Sequence, residues 1–142
     1  PQLAANVGLS YSSNNNIFLS ADFNYYNNMY LSMSPIYRTD AVITTGMTAE
    51  DIAHLRRQEK FDSAYTLNAS IGKNWYIHRQ YTLGFSLEVK NILNNQDIRT
   101  GGYEQTRLTK NTETTVTTYQ AFDSKYFYMF GTTYYLNLYF RF

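Results

Sequence analysis

The last nine residues, "YYLNLYFRF" (Tyr134–Phe142), decide how the rest of the chain is read. With a period of two, Tyr134, Leu136, Leu138, Phe140 and Phe142 fall on one face and Tyr135, Asn137, Tyr139 and Arg141 on the other. That is a strand with one apolar side and one wet side. Its length approaches the roughly 9–11 residues that a strand tilted by about 45° needs to cross the hydrocarbon core of a bilayer. A Phe closing the apolar face suits the membrane interface.

Four earlier stretches alternate in the same way. Leu3, Ala5, Val7, Leu9 and Tyr11 oppose Ala4, Asn6, Gly8 and Ser10, while Ile17, Leu19, Ala21, Phe23 and Tyr25 oppose Phe18, Ser20, Asp22 and Asn24, with a less regular run to about Leu31. Tyr65, Leu67, Ala69, Ile71 and Trp75 oppose Thr66, Asn68, Ser70, Gly72 and Asn74, and Tyr81 to Val89 alternates against Thr82 to Lys90. The C-terminal strand is expected to begin near Lys125. The fold class is therefore all-β.

Connection lengths alternate too. "SSNNN" (Ser12–Asn16) and "IHRQ" (Ile77–Gln80) are short, whereas Ser34–Lys60 and Asn94–Ser124 are long. Short turns at one rim and long loops at the other describe an outer-membrane barrel, and a soluble sandwich has no reason to sort its loops by rim. If Phe142 ends in the periplasm, parity places Asn14 and His78 there and both long connections outside the cell. A bacterial barrel has an even strand count of at least 8, so the missing strands are expected from an upstream part of the same polypeptide. Pro1 carries no signal peptide or initiating Met before it, in keeping with a processed chain or a piece of a larger one.

Composition agrees. Of 142 residues 44% are hydrophobic and 18% aromatic, dominated by Tyr 15 and Phe 9, which favour boundaries between apolar and wet surroundings. Mean hydropathy is -0.45 and no run of about 18 apolar residues exists, which excludes a transmembrane helix but not crossing strands. A net charge of +1 offers no field for nucleic acid, and zero cysteines exclude disulfides and thiolate metal sites.

"TAEDIAHLRRQEK" (Thr48–Lys60) has capping-box spacing between Thr48 and Asp51, acids in its first turn and Arg56, Arg57 and Lys60 at its end, so a short extracellular helix is expected. The Thr-rich run from Ile98 to Phe122, with Gly101-Gly102, predicts a hairpin. His54 and His78, the sole histidines, fall on opposite rims, so neither a two-histidine metal centre nor a hydrolase site is expected, and no catalytic residue or cofactor is assigned.

Inward by parity point Asp22, Glu88, Lys90 and Arg141, read as ion pairs of a polar lumen or as a substrate relay. Gly8, Gly72, Gly84 and Gly131 share that face, for curvature or to leave room inside. Lys73 faces lipid beside Trp75 near the inner rim, where it can reach headgroups. One aromatic girdle gathers Tyr11, Trp75, Tyr81, Phe140 and Phe142, and the other Tyr25, Tyr65, Tyr126 and Tyr128. Tyr103, Glu104, Gln105 and Arg107, beside the Gly-Gly pair, combine an aromatic ring with charged and amide groups and are the candidate cargo-binding set. The bland reading of that loop is packing on its neighbours or on a lid protein.

"LEVKNILNNQDIRTGGYEQTRL" (Leu87–Leu108), followed by "SKYFYMFGTTYYLNLYFRF" (Ser124–Phe142), resembles the C-terminal end of TonB-dependent outer-membrane receptors of the Bacteroidetes type, and "QEKFDSAYTLNASIGKNWYI" (Gln58–Ile77) is similar to their preceding strand. The resemblance covers about the last 85 residues well and the first part loosely. It implies a transmembrane antiparallel barrel segment, residues 1–142 supplying the last five of 22 strands, with the plug domain and the TonB-contacting part elsewhere. Implied too are energy-coupled import of a bulky nutrient, reading of Phe140 and Phe142 by the outer-membrane insertion machinery, and in one branch a surface lipoprotein lid. The rivals are a non-transporting outer-membrane barrel, an adhesin or assembly component, and a soluble all-β binding module.

Overall fold

The computed structural model describes residues 1–39, 47–78, 80–110, 113 and 117–142, so parts of both long connections and Arg79 of the second short turn lie outside the described residues. In chain order the elements are β1 (Leu3–Ser12), β2 (Ile17–Asn27), β3 (Met29–Tyr30), a 3-10 turn (Pro35–Arg38), α1 (Ala49–Arg56), β4 (Lys60–Phe61), β5 (Ala64–Ile77), β6 (Tyr81–Lys90), β7 (Arg99–Lys110), β8 (Thr117–Tyr128) and β9 (Thr133–Arg141). They divide into two compact units, one of Pro1–Asn28, Asp62–Ile98 and Met129–Phe142, the other of Met29–Phe61 and Arg99–Tyr128.

The first unit is an all-antiparallel sheet in the order β1-β2-β5-β6-β9, each long strand lying beside the next one of the unit. Register is the informative property. Leu9 faces Ala21, Ala21 faces Ala69, Ala69 faces Val89 and Val89 faces Tyr134. Directly paired residues share a face, and a slip of one residue would turn a whole strand over. All four pairings keep the apolar sets together, so one face runs from Leu3 and Leu9 through Phe23, Ile71 and Leu87 to Leu138.

Nothing among the described residues of this unit covers that face. Val7 is 66% exposed, Leu9 76%, Leu136 59% and Leu138 69%, and among the described residues of the unit the buried hydrophobic ones are Ala64 and Ile98. Each such side chain is worth roughly 1.5–3 kcal/mol once removed from water. The face as a whole therefore stands to gain more than the ~5–15 kcal/mol net stability of an ordinary domain.

The opposite face is wet and knitted across strands. Asn6 Nδ2 donates to Asn24 Oδ1 at 2.8 Å, Asn24 Nδ2 to Thr66 Oγ1 at 3.3 Å, and the hydroxyls of Ser20 and Ser70 meet at 2.7 Å. Tyr139 reaches across β6 to donate its hydroxyl to Asn74 Oδ1, its ring lying over Gly84. A Cβ at position 84 would land inside that ring. The room left by Gly84 thus holds a tyrosine of the next strand.

Both short turns close the same end of the sheet. Ser13 to Asn16 form a tight loop with the Ser13 amide on Ile17 O at 2.9 Å, and Ile77 O accepts from the Gln80 amide at 3.2 Å. Asn16 and His78 supply the positive φ, 56° and 51°, that such reversals need. The chain leaves for the second unit twice, after β2 and after β6, both times from the other end.

Several expectations are corrected. The C-terminal strand begins at Thr133, not near Lys125, because residues 117–128 pair with β7 in a separate hairpin. Tyr126 and Tyr128 therefore do not belong to the five-stranded sheet that carries Tyr25 and Tyr65, and Tyr134 lies at the same end of that sheet as those two. Gly131 lies in the link between β8 and β9 rather than on the strand face. β2 stops at Asn27, since Asn28 turns to a φ of 51° and a two-residue strand follows.

That link is held by Asn91, which is 4% exposed. Its Nδ2 donates to Asn95 O at 3.1 Å and Phe130 O at 3.0 Å, its Oδ1 accepts the Asn95 amide at 3.1 Å, and its carbonyl accepts from Thr132 Oγ1 at 2.8 Å. Asn91 also adopts a φ of 52°, which asparagine tolerates better than most residues.

The second unit pairs β7 with β8, β3 with β4, and buries Leu31, Leu55 and Phe61. The capping box of α1 is formed: Thr48 Oγ1 accepts the Asp51 amide at 3.1 Å, and Asp51 Oδ2 accepts the Thr48 amide at 3.0 Å. The helix ends at Arg56 instead of running to Lys60, because Lys60–Phe61 is drawn into extended pairing with Met29–Tyr30.

Candidate functional site

The hairpin separates the four candidate loop residues. The register of β7 against β8 shifts between Tyr103 and Gln105, and the four side chains divide by their surroundings: Tyr103 and Arg107 lie against the rings of Phe127 and Phe122, whereas Glu104 and Gln105 line one cleft. Tyr103 is 50% exposed with its ring 6.3 Å from that of Phe127, and the Arg107 guanidinium lies 5.9 Å from the Phe122 ring. Gly102 permits the bend before them, since its φ is 154° and a Cβ there would strike the Lys125 carbonyl.

Glu104 enters a fork–fork pair with Arg38. Arg38 Nη1 donates to Oε2 at 2.8 Å and Nη2 to Oε1 at 2.6 Å, with the Ser34 amide on Oε2 at 3.3 Å. Burial pushes the Glu104 carboxyl up, but the Arg38 hydrogen bonds, the Ser34 amide and the Arg38 charge outweigh it and hold the carboxyl below a glutamate's ordinary value of 4.5. A folded-state value depressed in this way stabilises the unit above pH 4.5, and that contribution is lost as the pH falls through the lower folded value. Exchange of the Ser34 amide, corrected for its intrinsic rate, will accelerate below pH 4.5. Glu104→Ala, which strands a mostly buried guanidinium, will cost the hairpin contact about 3 kcal/mol at neutral pH. Protection that is flat with pH and unchanged in the variant would remove Glu104 from the anchoring role.

Within the same unit, a cleft of about 400 Å³ opens between α1 with its following residues and the hairpin. Glu104 and Gln105 line it together with His54, Arg57, Lys60, Thr106, Tyr119 and Asp123. His54 Nδ1 and the Tyr119 hydroxyl are 2.9 Å apart, tying helix to strand across 65 residues of sequence. Burial raises the Tyr119 hydroxyl above its ordinary value, and the Glu104 carboxylate adds to it. Sequence reading missed Arg57, Lys60, Tyr119 and Asp123 as one group. The signal present in the sequence was the cationic end of the helix; its meeting with β8 is tertiary.

The residues read as lumenal share the polar face of the first sheet but form no single cluster. Asp22 lies beside Gly8, Glu88 pairs with Lys90 at 3.4 Å with both side chains largely exposed, and Arg141 stands at the short-turn end next to Tyr139 and Tyr76. Ion pairing is thus realised for Glu88 and Lys90, at the small worth of an exposed pair. Phe140 and Phe142 lie on the apolar face, Phe140 stacking on Tyr81 at 5.8 Å and touching Phe142 at 6.3 Å. Lys73 folds its ammonium over Trp75 at 5.4 Å.

Among the described residues no group of three His, Asp or Glu side chains is placed to hold a metal. Comparison of the chain with protein-family models, with curated proteins and with solved structures gives no match.

Proposed function

We propose that the five-stranded sheet is part of the lipid-facing wall of an outer-membrane β-barrel, and that the chain is the C-terminal barrel segment of a TonB-dependent importer of a bulky nutrient. The observation that carries the membrane reading is the register: five strands keep one continuous apolar face, and that face is uncovered. Lipid is the occupant that an uncovered face of this size calls for. The outer edges of β1 and β9 are unpaired among the described residues, and lipid cannot satisfy such edges. Further strands of the same receptor on both sides meet that need.

The importer reading rests on the resemblance of Leu87–Leu108 and Ser124–Phe142 set out above. It brings a 22-stranded barrel, a plug and a TonB contact outside this chain, a lipoprotein lid as a possible partner, and reading of Phe140 and Phe142 by the insertion machinery. In this reading the second unit is extracellular, and Phe142 faces the periplasm.

Single cysteines at Thr109 and His78, probed on intact cells with an impermeant thiol reagent, test the arrangement. Label will enter at 109 and not at 78. The reverse pattern would turn the topology over, and recovery of the protein in a detergent-free soluble fraction would sink the membrane reading.

A further inference from the structure

Among the described residues, not all of the charges that line the cleft of the second unit have a partner. Arg38 and Glu104 consume each other. Glu59 accepts the Tyr126 hydroxyl at 2.6 Å and lies 3.6 Å from Arg99, and His54 is engaged with Tyr119. Arg57, Lys60 and Asp123 line the same cleft, and among the described residues none of the three has an ion-pair partner or a side-chain hydrogen bond. Two further polar atoms, Thr106 Oγ1 and Arg38 Nε, are buried with no hydrogen-bond partner among the described residues. Both belong to residues of the cleft wall.

We infer that this cleft binds a small zwitterion, an amino acid or short peptide, whose carboxylate meets Arg57 and Lys60 and whose ammonium meets Asp123. A volume of about 400 Å³ lies at the lower end of small-molecule sites and suits a few residues of peptide. The backbone amides of such a ligand match the amide side chains of Gln58 and Gln105, which line the cleft. A neutral sugar would leave the three charges without a counter-charge, and a phosphate would match Arg57 and Lys60 but set a like charge against Asp123. As a binding site the cleft stands by itself; as a contact for cargo it rests on the importer reading.

The test uses the full-length protein purified in detergent and titrated calorimetrically with trialanine, its N-acetyl form, its C-terminal amide and maltotriose. Trialanine will bind tightest, and the amide, lacking the carboxylate, will bind about tenfold or more weaker. Asp123→Asn will abolish the difference between trialanine and its N-acetyl form, and the exposed pair Arg57→Ala with Lys60→Ala will abolish the difference between trialanine and its amide. No saturable binding of trialanine, equal binding of all three peptides, or tighter binding of maltotriose would overturn the inference. Uptake of labelled trialanine by cells separates the two readings. Binding with the stated preferences but uptake unaffected by loss of the protein would leave the site standing and remove the importer. Outer-membrane insertion with energy-dependent uptake of another nutrient and no trialanine binding would do the opposite.

Discussion

On the proposed lipid-facing reading, Leu87→Arg will nearly abolish the membrane-inserted protein, whereas Ser86→Arg, one residue earlier, will leave it close to the wild-type level. Leu87 sits in the interior strand β6, between Ile71 and Leu136 on the apolar face; Ser86 sits between Gly72 and Asn137 on the wet face. A guanidinium at the midplane of a lipid-facing barrel surface costs about 2–4 kcal/mol, and near the interface only about 0–1. Tyr81→Arg, at the short-turn end of the same face, should therefore be tolerated far better than Leu87→Arg. That depth dependence separates lipid from a protein core, which would reject arginine at positions 81 and 87 alike. The measurement is surface abundance at equal expression. Equal loss at 86 and 87, or at 81 and 87, would refute the lipid-facing assignment.

Asn91→Asp will open the junction between β6 and β9, by about 3 kcal/mol or more. The substitution keeps size and the acceptor oxygen for Asn95, but it removes the Nδ2 that satisfies the carbonyls of Asn95 and Phe130. Each carbonyl so released loses a hydrogen bond worth about 0.5–1.5 kcal/mol, and a carboxylate at a site 4% exposed adds desolvation and repulsion against both. Limited proteolysis of the inserted protein should then cut near Met129–Thr132, where the wild type resists. Asn94→Asp, a φ of 51° in an exposed turn, serves as the control with a small effect. Resistance equal to wild type in Asn91→Asp would show that the link is held by other means.

Much of the strand content was legible because alternation is a local property: nothing but a period of two is needed to see that Leu83, Phe85 and Leu87 oppose Gly84, Ser86 and Glu88. The capping box at Thr48 and Asp51 and the hairpin that contains Gly101-Gly102 were legible for the same reason, since their partners are near in sequence. The strand break before Thr133 was not. Tyr126, Tyr128, Phe130 and Tyr134 keep one parity straight through the break, so the pattern carries no trace of it. Only pairing of β8 with β7, and the grip of Asn91 and Asn94 on Phe130 and Thr132, interrupts the strand.

The candidate site divides along the same line. The residue types in Tyr103, Glu104, Gln105 and Arg107 were visible, yet Glu104 is committed to Arg38, 66 residues away, and Tyr119 to His54, 65 away. By itself, the sequence determined an all-β chain whose strands each have one apolar and one wet face, because side-chain direction in a strand follows from the backbone alone. The tertiary structure decided that the five apolar faces join into one, that residues 117–128 leave that sheet, and that Arg57, Lys60 and Asp123 meet in a cleft. Those outcomes depend on register and on long-range contacts, which no period in the sequence encodes.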